Sequence, residues 1–531
     1  MTMVPCRGTE PFLAGRHGGR PISKGPHSSQ PWRASMLTCH HLRSTTPWAL
    51  AAILLCCVAT AAGSLQGDAE QAVRRAGFEL EDVSVCVIDA ETGRRLVDIN
   101  ASTARIPASN MKLLTSGVAA RLLGSEFRFQ TRLVRDGDRL VVIGDGDPAF
   151  GDPVLLARMQ DPKGRPLDPE SLIDLWVDAV VSDGIDQIDE LVIDDRIFDR
   201  EFTHASWPRE QLINWYCAEV SGLNFHTNTL YFNPRPARGS VDISRISPAY
   251  DFLDIRNQLT NDTQRSKQSF AAVRPEGTNA FTCRGNITSA MKYEATVHDM
   301  PTLFGRYLAH RLAKQGVRVG RVRLANAGDP AFRGQTLGPV VMTPLAQVLE
   351  RCNTKSHNLY AEAVLKRLGA HYTRSSGGWD NGGTVIRHAV QDALPRPDAS
   401  LHVADGSGMS RENRLSAATL ATWLADMDPG DPDDSMFIES LPEPGEGTLR
   451  KRFTSRGRNL DGIRIKAKSG YLNRICTLSG YVLSDEGRRL CFSILVNSPT
   501  NRPRDAKSMH EHIVLELVDQ IDPSRITSAG G

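Results

Sequence analysis

The 531-residue sequence predicts an α/β (α+β) protein in which an antiparallel sheet is flanked by helices and a large strand-rich insertion interrupts the chain. Three observations lead there. A hairpin pattern and a helical pattern adjoin between residues 83 and 123. A long run of short strands and turns then separates them from the next helices, and three further strands and a last helix close the sequence. The expected partition is 1–67 as an N-terminal extension and signal peptide, 68–125 with 340–525 as the main body, and 126–339 as inserted strand-rich structure.

The first 67 residues are polar and rich in Gly, Pro, Arg and His, and they end in one apolar run, Trp48 to Ala62. From Met36, the residues His40, His41 and Arg43 precede an apolar stretch and the small residues Ala59-Thr60-Ala61-Ala62-Gly63, a pattern similar to a secretory signal cleaved near Ala61 or Ala62. An uncleaved anchor is the alternative, although the run is shorter than the roughly 20 residues a spanning helix needs. Export to the periplasm or cell envelope is expected.

A helical stretch from Asp68 leads to a hairpin of Val83 to Asp89 and Arg95 to Asn100, turning at Glu91-Thr92-Gly93. Ser109 then opens an amphipathic helix with Met111, Leu114, Val118 and Leu122 at helical spacing, stopped by Gly124. Short strands and one clear helix, Glu170 to Val181, fill the insertion. Thr343 reads as a cap with Pro344 at the first helical position; that helix runs to Cys352, breaks, and resumes from Asn358 to Leu368 before Gly369. Ile463 to Lys468, Thr477 to Leu483 and Leu490 to Asn497 read as strands. Met509, Ile513, Leu517 and Ile521 share one face of the final helix.

The net charge of +2 comes from 63 basic and 61 acidic residues mixed along the chain, which argues against a nucleic-acid partner. Six cysteines follow the expected signal: Cys86, Cys217, Cys283, Cys352, Cys476 and Cys491. None forms a C-x-x-C pair and no histidine cluster has zinc-finger spacing, so neither metal nor cofactor is expected. They read as scattered core residues, although export would permit a disulfide.

Ser109-Asn110-Met111-Lys112 sets a hydroxyl and an amine three apart at a helix start, on one face. A serine is a weak nucleophile until a base takes its proton, and a lysine can do so only when partly neutral, which burial or a second cation promotes. Lys468 is the expected second cation. A rival Ser-x-x-Lys, Ser289 to Lys292, precedes a strand-like run and is set aside. Ser356-His357-Asn358, at the helix break, offers a hydroxyl for proton transfer and an amide for substrate binding, or else a plain helix cap. Lys468-Ser469-Gly470 ends a strand, where ammonium and hydroxyl can meet a substrate carboxylate and glycine leaves room for substrate backbone.

This trio resembles the active-site motifs of penicillin-binding proteins and β-lactamases. The chain is similar in particular to the D-alanyl-D-alanine carboxypeptidase/endopeptidase family, the class C low-molecular-weight penicillin-binding proteins. Ser109 and Ser356 lie 247 residues apart, where a compact β-lactamase has several tens and this family carries extra domains. Gly144-Asp145-Gly146-Asp147-Pro148, Asn358-Leu359-Tyr360-Ala361-Glu362, Asp405 to Arg411, Gly447-Thr448-Leu449 and Leu478 to Val482 add to the likeness.

The resemblance implies a penicillin-binding fold and an acyl-enzyme on Ser109 with Lys112 as base. It gives Ser356 and Asn358 proton transfer and substrate binding, and Lys468 with Ser469 orientation of the carboxylate. The backbone N–H groups of Ser109 and Tyr471 would form the oxyanion hole, Gly470 would make room for substrate, and Arg411 would meet a diaminopimelate side chain. It further implies peptidoglycan stem peptides as substrates and β-lactams as covalent inhibitors. Two departures stand out: His357 replaces a common Asp, and Lys-Ser-Gly-Tyr replaces the usual Lys-Thr-Gly-Thr, so that Tyr471 could narrow the cleft. A β-lactamase or esterase on the same scaffold, or a non-catalytic wall-binding protein, are the competing readings.

Overall fold

Five strands form the sheet beside which the three motifs meet, in the order Ile463–Leu472, Ile475–Ser484, Arg489–Asn497, Val83–Asp89 and Arg95–Ile99, with every pairing antiparallel. Val83–Asp89 is buried throughout, and its side chains alternate between two cores. Val83, Val85 and Val87 face a cluster shared with Leu65, Val73, Met509, Ile513 and Leu517, whereas Cys86 and Ile88 face one shared with Met111, Leu114 and Leu420. Helices 65–75 and Pro503–Ile521 therefore cover one face, and Met111–Leu123 with Ala417–Ala425 the other. This computed structural model describes residues 2–4, 65–161, 164–264, 267–453 and 460–521; the expected signal segment lies outside the described residues.

Met111–Leu123 is a central helix, not the amphipathic one expected, because Met111 through Ala120 are all buried. Gly117 lets it approach its neighbours: an added Cβ would lie 2.9 Å from Met427 Cε and 3.0 Å from Trp423 Nε1. Gly124 ends it at φ 84°, as expected. Gly369 ends nothing, since Asn358–Thr373 continues through it; a Cβ there would strike the Asn381 side chain of the helix Trp379–Ala393. Thr343 and Pro344 still belong to the strand Gln335–Pro344, and the next helix starts at Leu345. The Thr343 hydroxyl is spent on Asp147 Oδ2 at 2.6 Å instead of capping.

Five strands between residues 126 and 344 and the strand Thr2–Val4 form a six-stranded sheet in the order Thr2–Val4, Gln335–Pro344, Arg128–Asp136, Arg139–Ile143, Gln187–Asp194, Arg318–Leu324. Gln187–Asp194 is parallel to both neighbours. Its core joins Phe150, Trp176, Phe225 and Phe304. Two helices serve it, Pro169–Ser182 and Met300–Lys314; the second was not expected. Pro301 stands in its first turn, where the missing N–H costs nothing, and Asp299 accepts from Thr302 N. Gln335–Pro344 runs across the expected boundary at 339/340. All six cysteines after residue 65 are free and buried, so none is paired among the described residues.

Candidate active site

Ser109 sits in a single 3-10 turn, Ala108–Asn110, that feeds the central helix. The turn is held tightly. Ala108 has φ 46°, and Gly408, at φ 80°, packs so closely on its carbonyl that an added Cβ would lie 1.8 Å from that oxygen. Asn110 Nδ2 donates to the Lys468 carbonyl at 2.5 Å, and Thr477 Oγ1 to the Pro107 carbonyl at 3.0 Å, which ties the turn to the sheet.

Lys112 is fully buried one turn on, and burial lowers its pKa below the ordinary lysine value. Its Nζ lies 3.3 Å from Ser109 Oγ and donates to Asn358 Oδ1 and to the Ser407 carbonyl, each at 2.7 Å. Asn358 is oriented from behind, its Nδ2 donating to the Tyr216 carbonyl at 2.7 Å. Ser356, at φ 56°, turns its hydroxyl to Lys468, whose Nζ donates to Ser356 Oγ at 2.8 Å and to the Ser469 carbonyl at 2.7 Å. Lys468 is fully buried too; burial, and then the charge of Lys112, push its pKa well below the usual value. The expectation that Lys468 depresses Lys112 thus gives way to burial as the main cause at both, with Lys468 the member pushed down by its neighbour.

Lys468-Ser469-Gly470 lies inside the ten-residue strand Ile463–Leu472, not at its end, because pairing with Ile475–Ser484 continues without a break to Leu472↔Ile475. Gly470 is where the strand meets the nucleophile turn. A Cβ there would lie 2.3 Å from Thr477 Oγ1 and 2.8 Å from Ser109 N.

The motifs open on one cavity of about 910 Å³, lined by Ser109, Ser356, Asn358, Ser469, Gly470, Tyr471 and Arg411. Tyr471 is half exposed, its hydroxyl 3.4 Å from Asn501 Oδ1, and Arg411 donates to the Asn473 carbonyl at 3.2 Å. All nine residues singled out in the sequence converge here. Ser289 does not: its hydroxyl donates to Gln268 at 2.6 Å, while Lys292 pairs with Glu294.

Sequence reasoning missed three contributors. The Ser407 carbonyl and the Tyr216 carbonyl are backbone groups, which leave no mark in side-chain patterns, and Trp215, also lining the cavity, is distant in sequence from all three motifs. Trp215 and Tyr360 enclose the buried His357 ring, with centroids 5.5 and 4.9 Å away. Burial and nearby Arg351 push His357 down to about 3, so its ring packs there in the neutral form. Glu362 accepts from Ser407 N at 2.8 Å, Gly406 N at 2.9 Å and Trp379 Nε1 at 2.9 Å, fixing the loop whose carbonyl holds Lys112; burial and Asp405 raise it to about 7.

Chemically, the arrangement offers a hydroxyl with an adjoining amine and a second hydroxyl–amine pair, with Ser109 and Ser356 both lining the cavity.

Comparison with known proteins agrees. The profile of the D-Ala-D-Ala carboxypeptidase 3 (S13) family matches residues 66–517. A D-alanyl-D-alanine carboxypeptidase from Actinomadura sp. (strain R39) is 28% identical over 439 residues, 78% of this chain and 77% of that protein. The D-alanyl-D-alanine carboxypeptidase DacB of Haemophilus influenzae is 22% identical, over 79% of this chain and 86% of its own length. The crystal structure of penicillin binding protein 4 (dacB) from Haemophilus influenzae has the same fold, with a TM-score of 0.66 at 20% identity, covering 82% of this chain and 96% of that one.

Proposed function

The chain belongs to the D-Ala-D-Ala carboxypeptidase 3 (S13) family and is a serine peptidase, and on that premise we propose that it cleaves the terminal D-alanyl-D-alanine bond of peptidoglycan stem peptides through an acyl-enzyme on Ser109. The observation that carries the residue assignment is the contact of buried Lys112 Nζ with Ser109 Oγ at 3.3 Å, with Ser356, Asn358 and Lys468 closing around it.

Ser109 Oγ attacks the carbonyl carbon while its proton passes to the neutral amine of Lys112. Burial lowers the pKa of that amine and so favours its neutral form. The oxyanion forms beside Gly470, where the N–H groups of Ser109 and Tyr471 stabilise it. Ser356, bonded to Lys468, gives its proton to the leaving amine of D-alanine and is restored by the proton that Lys112 took from Ser109; water then attacks the acyl carbon as Lys112 takes its proton, which returns to Ser109 as the acyl group leaves. Ser469 orients the terminal carboxylate, and Arg411 at the rim meets the diaminopimelate side chain. A crosslinked stem peptide presents the same bond type, so endopeptidase cleavage uses the same acyl-enzyme.

β-Lactams acylate Ser109 as mimics of the substrate; a relative's structure, penicillin binding protein 4 from Haemophilus influenzae, is described as complexed with a β-lactam. Stem peptides place the enzyme outside the cytoplasm, in the periplasm or cell envelope, consistent with the signal-like segment. Residues 126–339 act as an inserted domain on the body formed by 68–125 and 340–525.

The test is labelling with a fluorescent penicillin beside release of D-alanine from a stem pentapeptide. Wild type and Ser289→Ala are expected to do both, and Ser109→Ala neither. Rapid turnover of the penicillin without D-alanine release would favour a β-lactamase, and no label at all a non-catalytic wall-binding protein.

A further inference from the structure

Glu362 stands one turn after Asn358 on the same helix and is fully buried. Gly406 N and Trp379 Nε1 donate to its Oε2, each at 2.9 Å, and Ser407 N to its Oε1 at 2.8 Å, so both oxygens act as acceptors. A protonated carboxyl would turn its O–H against one of those donors, so the surroundings suit the anion. Asp405 is fully buried as well and accepts from Gly408 N, Ser410 N, Trp207 Nε1 and Asn413 Nδ2. Two buried carboxylates thus hold the loop 405–410, and the Ser407 carbonyl of that loop takes the Lys112 amine.

The amine is held so that one position alone can change. Lys112 Nζ donates to Asn358 Oδ1 and to the Ser407 carbonyl, each at 2.7 Å, and its remaining position faces Ser109 Oγ at 3.3 Å. A neutral amine has its lone pair there and an ammonium its third N–H, so both forms fit the same contacts. Charge then decides between them.

Burial favours the neutral form, and only nearby negative charge opposes it. The ionisable groups facing Lys112 are Cys352, Glu362, Asp405, His357 and Lys468, from two helices, the loop and the strand. Cys352 is a thiol, pushed up to about 11 by burial, and His357 is neutral. Lys468 can add only positive charge. Glu362 and Asp405 remain as the anions. Glu362 in turn faces Asp405 and Lys366, and Lys366 is already paired with Asp199 at 2.6 Å.

We propose that Glu362 is a positioning residue for the general base, a fixed counter-charge that stabilises the ammonium Lys112 becomes on taking the Ser109 proton. The proton leaves Ser109 Oγ as that oxygen bonds to the acyl carbon, Nζ gains it, and Glu362 stays unprotonated throughout. The proposal rests on the reading of Lys112 as the base of Ser109.

The rate of penicillin acylation is followed against pH with the full chain, and thermal denaturation confirms that each variant is folded. Glu362→Gln keeps the size and removes the charge. It should move the inflection down by about 1 pH unit, with the high-pH plateau lowered by less than about tenfold. Glu362→Asp keeps the charge on a shorter arm and should slow acylation at every pH while leaving the inflection near that of wild type. Trp379→Phe keeps a ring beneath Lys366 but withdraws one N–H from the Glu362 anion, and should lower the inflection by a smaller amount.

An inflection that stays or rises in folded Glu362→Gln, or that moves as far in Glu362→Asp, makes Glu362 a support of the loop alone and overturns the proposal. If Glu362→Gln does not fold, Trp379→Phe decides: a lower inflection supports the counter-charge and an unmoved one overturns it. Wild type that takes no label, or labels at a rate independent of pH, overturns the reading of Lys112 as base and the proposal with it.

Discussion

Lys112 reaches Ser109 from a fully buried position, with two oxygen acceptors steadying its amine, and desolvation lowers its pKa despite them. The rate of β-lactam acylation should therefore rise with pH, with an inflection below the ordinary lysine value of 10.5. Lys112→Arg keeps the charge but cannot act as a base, and labelling should slow by about 10²- to 10⁴-fold. His357 has a different consequence. In the unfolded chain its imidazole takes a proton near 6.5, whereas in the fold it stays neutral down to about 3. The stability it contributes is present above 6.5 and is lost as pH falls through that window. His357→Asn should flatten the fall in the denaturant midpoint between pH 7 and 5; an equally steep fall would show that His357 has no part in it.

At the level of elements, Gly470 joins the strand Ile463–Leu472 to the nucleophile turn. Gly470→Ala inserts a methyl group against Thr477 Oγ1 and Ser109 N, and should cost about 1–3 kcal/mol of stability and nearly all acylation, read by thermal denaturation and penicillin labelling. The sequence was legible here in proportion to how local each signal is. Ser109 at a helix start and Ser356 between two helices follow from residue order, and both stand in the structure. The extent of elements was harder. Gly369 looks like a terminator but serves a close helix contact, because that role depends on Asn381 of the following helix. Lys468-Ser469-Gly470 reads as a strand end in the sequence, while the pairing with Ile475–Ser484 carries the strand on to Leu472.

Across the whole molecule, the segment between residues 126 and 339 helps to assemble the site. The Tyr216 carbonyl orients Asn358, Trp207 Nε1 donates to buried Asp405 at 2.9 Å, and Asp199 pairs with Lys366 at 2.6 Å. Asp152, fully buried, binds Arg351 and accepts from Tyr360 Oη at 2.6 Å, on the two helices that flank Ser356. Asp152→Ala leaves Arg351 without its buried partner and should cost about 3–5 kcal/mol, with slower acylation although Asp152 is not among the cleft-lining residues. Denaturant unfolding and labelling rates check it. None of these bridges has a sequence pattern, since they pair single residues across long stretches of chain. The central claim, that Ser109 is the residue acylated, is tested most directly by trapping the protein with penicillin and mapping the adduct by mass spectrometry of its peptides. The account predicts one penicilloyl group per chain on the peptide that contains Ser109; an adduct on Ser356, on Ser289 or on no serine at all would contradict it.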